Sequence, residues 1–479
     1  MKNKKYTNKT KKRRSKNGGE ALTSGGFGCI FKPALKCKNS NERTTGVSKM
    51  SLEKYGKAEI NEIQQIKDKL KTIKDYQKYF LLDTDICEPD KLTNEDLDNF
   101  DTKCYALTRF NINSSNVNNK LNTLTILNMP DSGIDLKDWL LSDNIITKEK
   151  IFILNETICI LLKNAIRPMN EKGVIHNDLK DSNILIDKNL DARIIDWGLS
   201  GVVKNNKIPS EILNRPLQFN TPFSSMLISQ EFKLNYDIFL QRVKDGLILF
   251  NATNIRNYVI NEYLIKLARY YGYYDDNVIL FNAIFSPSIS EETFLSEVKR
   301  NDLIEYGYYL YYLSNYITDI LMKFTNDSYE FLLDKYFMEC YLFNSDVFGI
   351  MTTYYTFFQV KLEQIKLDDN NKKILLNRIR SLLVEHIFTN GSEKYNINGI
   401  ISAIQELNSS LKYDNMSFSN FKPSDKSKSP SSVINLVSTS KSKSKSKSKS
   451  KSKFKLKLKS KSKSKKNEAN LFNVVTKYT

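Results

Sequence analysis

Histidine is nearly missing from this chain of 479 residues, with His176 and His386 the only two. That scarcity excludes most chemistry built on imidazole, including the usual histidine metal sites and Ser-His-Asp triads. The six cysteines (Cys29, Cys37, Cys87, Cys104, Cys159 and Cys340) are scattered and contain no C-x-x-C pair. Neither a disulfide framework nor a zinc knuckle is expected from them, and a reducing compartment is the natural setting. No apolar run approaches the roughly 18 residues a membrane helix needs, and the basic N-terminus lacks an apolar h-region. A soluble, unsecreted protein with no membrane association is therefore expected.

Acidic residues are absent from two segments that carry much of the positive charge. Residues 1–16 hold nine Lys or Arg and residues 441–466 hold fourteen Lys; without these 23 the chain has 50 basic against 54 acidic residues. The formal charge of +19 thus belongs to the ends, while the body is slightly acidic. The first end, through Lys11-Lys12-Arg13-Arg14, has the character of a nuclear-import signal or a nucleic-acid-neutralising arm. The second is a Lys-Ser repeat too polar and self-repelling to fold, suited to binding polyanions in a salt-dependent way or to serving only as a solubilising tail. Phosphorylation of its serines would add roughly −1.5 to −2 charge per site and weaken polyanion binding.

What the body does contain is the run His176-Asn177-Asp178-Leu179-Lys180-Asp181-Ser182-Asn183, followed thirteen residues after Asn183 by Asp196-Trp197-Gly198. The pattern fits H-R-D-L-x-x-x-N and D-F-G with one substitution in each. Phosphoryl transfer explains the spacing: one Asp faces the attacking hydroxyl, and an Asn and a second Asp on the next hairpin hold Mg²⁺. The flanks read as that hairpin, with apolar runs at Ile184-Leu185-Ile186 and Ala192-Arg193-Ile194-Ile195 around a turn at Asp187-Lys188-Asn189. Upstream, apolar residues from Ile151 to Met169 recur at helical spacing and stop before Lys172-Gly173.

On these residues the chain resembles the eukaryotic-type serine/threonine protein kinases, of the divergent kind found in nucleocytoplasmic large DNA viruses (mimivirus-like). High Asn, Lys, Ile and Tyr usage, compatible with an AT-rich coding genome, agrees with that attribution. The resemblance implies an α+β, two-lobed kinase fold: a tail at 1–19, a small β-rich N-lobe at 20–128, a larger helical C-lobe at 129–412 with a helical insertion at about 231–340, and a Lys/Ser-rich tail at 413–479. It implies ATP and Mg²⁺ as cofactors, a protein substrate with a Ser or Thr acceptor, and an intracellular setting in host cytoplasm or virion, with the nucleus open.

Carried over residue by residue, Asp178 would accept or orient the hydroxyl proton, Lys180 would offset charge on the γ-phosphoryl, and Asn183 and Asp196 would hold Mg²⁺. Thr23-Ser24-Gly25-Gly26-Phe27-Gly28-Cys29-Ile30 resembles the glycine-rich loop over the phosphates, with Thr23 in place of the first glycine. Lys49, after Val47, fits the strand lysine that positions ATP, although a polar insertion at 39–45 precedes it. Either Glu59 or Glu62, on a helix read as Lys57 to Leu70, could orient that lysine, with a slight preference for Glu62. Leu124 to Pro130 reads as a strand entering the hinge between lobes, and Asp346 in Phe343-Asn344-Ser345-Asp346-Val347-Phe348-Gly349-Ile350 as support for the catalytic loop. Tyr270 to Tyr274 and Tyr306 to Tyr312 read mainly as core packing.

Departures define the alternatives. Asn177 stands where many kinases place an arginine, Trp197 replaces Phe, and no A-P-E triplet is present, with Phe219-Asn220-Thr221-Pro222-Phe223-Ser224 in its region. Together with Thr23 these leave a catalytically weak pseudokinase scaffold, or a polyanion-binding virion protein acting through its tails, as rival readings.

Overall fold

The computed structural model describes residues 19–40, 46–215, 218–264, 280–281, 283–285, 307–413 and 415–422. The basic N-terminal segment, most of the polar insertion at 39–45, the tyrosines at 270–274 and the Lys/Ser tail from residue 423 lie outside them; the tail does not begin at 413, because Tyr413 is buried and Phe421 packs 6.1 Å from Phe152 of the body. Alternating side chains of high β propensity build a five-stranded antiparallel sheet in the first third of the chain. Its strands are β1 (Glu20–Ser24), β2 (Gly28–Lys32), β3 (Val47–Leu52), β4 (Asp85–Cys87) and β5 (Leu124–Met129), in the order β1-β2-β3-β5-β4. Helix α1 (Glu53–Leu70) follows β3 directly, four residues earlier than its apolar stripe indicates, and buries Ile63, Ile66 and Leu70.

The long β4–β5 connection carries two short helices, α2 (Phe100–Lys103) and α3 (Tyr105–Thr108), which the sequence reading did not anticipate. They complete a second small core over one face of the sheet, where Phe100, Cys104, Ala106 and Leu107 pack with Cys29, Phe31, Met50, Leu124 and Ile126. Period two puts Cys29, Phe31 and Met50 on this face and Ile30 and Lys49 on the other.

Two cysteine pairs contradict the expectation that no disulfide framework exists. Cys29 is bonded to Cys104 and Cys37 to Cys87, while Cys159 and Cys340 are free. Pairs separated by 75 and 50 residues leave no spacing signature, because the sheet and its helical cover bring them together.

After β5 the chain becomes mostly helical. A short β6 (Ile134–Asp135) leads to α4 (Leu136–Leu140), capped by the Asp135 side chain, which accepts from Asp138 N at 2.8 Å. Helix α5 (Lys148–Leu161), capped by Thr147, continues through a π turn (Leu162–Ile166) into α6 (Arg167–Glu171) and is apolar on nearly every side. Such a helix belongs in a core, and it forms the axis of the C-terminal half. The segment then gives β7 (Val174–Ile175), the hairpin β8 (Ile184–Ile186) and β9 (Ala192–Ile194), and β10 (Gly201–Val202), which pairs with β7.

Among the described residues the remaining α-helices longer than four residues are α7 (Gln230–Lys244), α8 (Ala252–Tyr258), α9 (Gly307–Phe324), α10 (Leu342–Met351), α11 (Asp369–Leu383) and α12 (Ile397–Ser410). Tyr312 and Tyr316 of α9 are core residues: Tyr312 stacks on Phe285 at 4.1 Å, and Tyr316 meets Phe223 edge-on with its hydroxyl 2.9 Å from that of Tyr395. The aromatic density here serves packing. Among the described residues no helix is long and apolar enough to cross a membrane.

Candidate active site

The loop at residues 176–183 runs from β7 into a single 3₁₀ turn (Asp181–Asn183) ahead of β8. A polar loop is ordinarily solvated, yet His176, Asn177 and Asp178 are all buried, so every polar group needs a partner. Asp346, itself fully buried on α10, supplies three: its Oδ2 accepts from Asn170 Nδ2 at 2.8 Å and from His176 N at 3.0 Å, and its Oδ1 from Asn177 N at 2.8 Å. Asn177 takes the left-handed conformation (φ 59°), and its side-chain oxygen accepts from Tyr341 Oη at 3.1 Å and Ser345 Oγ at 3.2 Å. On the same helix Gly349 lets the loop approach, because a Cβ there would lie 2.4 Å from the Leu179 carbonyl oxygen.

Three cations or amides orient the Asp178 carboxylate. Lys180 Nζ lies 2.9 Å from Oδ2 and 3.1 Å from Oδ1, Asn183 Nδ2 donates to Oδ2 at 3.0 Å, and Asn220 Nδ2 donates to Oδ1 at 2.8 Å. Asn183 Nδ2 also donates to the Asp178 carbonyl at 2.7 Å, which fixes the amide and leaves its oxygen accepting no hydrogen bond among the described residues. Asn220 is the residue the sequence reading missed. It falls in the stretch without an A-P-E triplet, 42 residues from Asp178, and no motif spacing singles it out.

The hairpin delivers Asp196 beside this loop, since Ile195 N donates to the Asn183 carbonyl at 3.0 Å and His176 Nε2 lies 2.9 Å from the Ile195 carbonyl. Asp196 is exposed and left-handed (φ 63°), and its carboxylate has no hydrogen-bond or ion-pair partner among the described residues. Trp197, by contrast, is buried. Its ring meets Phe80 at 5.8 Å and His176 at 4.9 Å, and its Nε1 donates to the Leu81 carbonyl at 3.3 Å. An indole can be buried here because that donor is satisfied.

The sheet contributes the opposite wall. Lys49 on β3 forms an ion pair with Glu59 of α1 at 2.7 Å, both side chains being 16% exposed. Burial alone would push the ammonium down, but Glu59, Asp196 and Glu62 outweigh it and hold Lys49 above the ordinary lysine value. Glu62 is not the partner, contrary to the slight preference for it. It lies one turn, about 4.5 Å, further along the helix, and burial together with Glu211 and Glu59 pushes its carboxyl up.

Above Lys49 the chain turns at residues 25–28, closed by Gly25 N donating to the Gly28 carbonyl at 2.9 Å. Gly28 is the position where space is short: a Cβ would come within 3.0 Å of Lys49 Cγ and 3.1 Å of the Met50 carbonyl oxygen. Gly25, Gly26 and Phe27 are exposed at the turn, and Thr23 is exposed before it. Ile30 pairs with Lys49 on the cleft face. The side chains of Ser24 and Cys29 turn away: Ser24 Oγ accepts from Ala106 N at 2.9 Å and Cys29 is bonded to Cys104. As side chains, these two expected nucleotide contacts face the second core.

A magnesium ion carried by a nucleotide takes one or two protein oxygens and fills its shell with phosphate and water. The exposed, unpartnered Asp196 carboxylate and the fixed, unengaged Asn183 oxygen fit that requirement. Among the described residues no cluster of three His, Cys, Asp or Glu offers a self-sufficient metal cage.

The family model described as protein kinase domain matches residues 112–218, a stretch that holds the 176–183 loop, Asp196 and the hairpin between them. No curated protein matches the chain. The matched stretch is similar to a protein kinase domain, and with a β-rich N-terminal lobe and a helical C-terminal lobe the chain has a two-lobed, kinase-like fold.

Proposed function

We propose that the protein is an ATP-dependent protein kinase that phosphorylates Ser and Thr hydroxyls of protein substrates. The observation that carries the reading is the Asp178 carboxylate, oriented by Lys180, Asn183 and Asn220 on the lobe that also carries Asp196. Asp178 takes or orients the proton of the acceptor hydroxyl. The hydroxyl oxygen bonds to the γ-phosphorus while the bond to the β–γ bridging oxygen breaks, and ADP leaves with that electron pair. Lys180 stands beside the carboxylate to offset charge on the moving phosphoryl group, and Lys49, held by Glu59, positions the α- and β-phosphates. Asn183 and Asp196 would hold Mg²⁺, which neutralises phosphate charge when bound. Preorganised charge and positioning supply most of the acceleration, since little covalent chemistry falls to the protein.

Retention of Lys49, Asp178, Asn183 and Asp196 argues for turnover over a scaffold role. The test is transfer from γ-labelled Mg-ATP to a generic basic protein, with the phosphoamino acids resolved afterwards. Label on serine or threonine is expected; label on tyrosine alone, or none, would overturn the reading.

A second activity belongs to the tails. We infer polyanion binding from the concentration of 23 basic residues in two acid-free segments, a disposition that suits nucleic acid in a virion, cytoplasmic or nuclear setting. The composition is also what supports the viral attribution.

A further inference from the structure

The turn at residues 25–28 is held from outside the cleft by the β4–β5 connection. Three attachments are spread along it. Cys104 is bonded to Cys29 at one end, Ala106 N donates to Ser24 Oγ at 2.9 Å, and Arg109 donates from Nη2 to the Gly26 carbonyl at the tip. The Arg109 guanidinium also lies over two rings, 5.7 Å from the centre of Phe27 and 5.0 Å from that of Phe110. Phe27 in turn packs at 4.9 Å on Tyr55, one turn before Glu59 on α1. The segment that grips is itself rigid, because Phe100, Cys104, Ala106 and Leu107 are fully buried on the sheet.

We propose that this segment is a clamp on the phosphate-covering turn, with Arg109 as a positioning residue for the nucleotide. A glycine-rich turn is the part of such a site with most conformational freedom to lose, since residues without a Cβ are the most mobile in the free state. Fixing Gly26 and Phe27 beforehand removes that loss from the binding step. The grip acts over the phosphates and leaves the adenosine end untouched. It also ties the turn, through Phe27 and Tyr55, to the helix whose Glu59 holds Lys49.

The inference rests on the proposed nucleotide site, and the experiment separates the two. Hydrogen exchange of residues 24–29 is measured without nucleotide in the full chain and in Arg109→Ala and Arg109→Lys, and ATP and adenosine affinities are measured on the same proteins. Arg109→Ala is expected to exchange faster at Gly25 and to bind ATP about three- to tenfold more weakly, with adenosine binding unchanged. Arg109→Lys keeps a donor and charge but loses the planar stack, and falls between. Unchanged exchange in Arg109→Ala, or an equal loss for adenosine and ATP, would overturn the clamp. If the wild-type chain binds no ATP, the proposed function fails, while the exchange result still decides whether the turn is gripped.

Discussion

Replacing Asp346 by Asn tests whether the catalytic loop is held by one buried carboxylate. Asp346 accepts from three donors, two on Oδ2 and one on Oδ1. An Asn that keeps its amide oxygen at the Oδ2 position still serves Asn170 and His176, but its NH₂ then faces Asn177 N–H, donor against donor. One buried donor is orphaned, so roughly 1–3 kcal/mol of stability should disappear. The reversed amide orphans two donors and is worse. Asn177 sits at φ 59° and is followed directly by Asp178, so a loop released here moves the carboxylate that must face the acceptor. A misplacement of about 1 Å costs on the order of a hundredfold in rate. Urea unfolding and phosphate-transfer turnover on the same preparation read both effects. A variant with wild-type urea midpoint and wild-type turnover would refute the argument that Asp346 holds the loop.

Other outcomes follow from the same geometry. Glu59→Gln should lower kcat/KM by about 10- to 100-fold through loss of Lys49 orientation, whereas Glu62→Gln should leave it near wild type, as steady-state kinetics would show. Burial raises the Glu62 carboxyl in the folded protein, so its ionisation opposes folding: its contribution to stability should fall as pH rises from the unfolded-state value through that raised value, and Glu62→Gln should lose less stability than wild type between acid and neutral pH in denaturation. Asn220→Ala leaves Asp178 Oδ1 with Lys180 as its one remaining partner among the described residues and should reduce kcat more than KM, by about tenfold. Deleting residues 1–18 and 424–479 should abolish salt-dependent binding to nucleic acid in a filter or anisotropy assay while leaving phosphate transfer intact; undiminished binding would place the polyanion surface on the body.

The catalytic loop, the Asp196 hairpin and the buried helix α5 were legible because each is local: a motif or an apolar period within one segment fixes it. What depends on contacts far apart in sequence was not. The choice between Glu59 and Glu62 turned on axial distance along α1, since both face the same way and only Glu59 reaches Lys49 at 2.7 Å. Asn220 reached Asp178 through the fold of the intervening segment, and the pairs Cys29–Cys104 and Cys37–Cys87 join a strand cysteine to one outside the strands, which no spacing announces. Helices α2 and α3, four residues each, are too short to show a period, and they owe their existence to Phe100, Cys104 and Leu107 packing on the sheet. Ser24 and Cys29 were assigned to the nucleotide by motif position alone. Strand alternation sends both side chains to the other face.

The central claim is tested most directly by single-turnover transfer from labelled Mg-ATP with wild type and Asp178→Asn side by side. Asp178→Asn should retain the fold and ATP binding but transfer phosphate about 10²- to 10⁴-fold more slowly. Equal rates in the two proteins would contradict it.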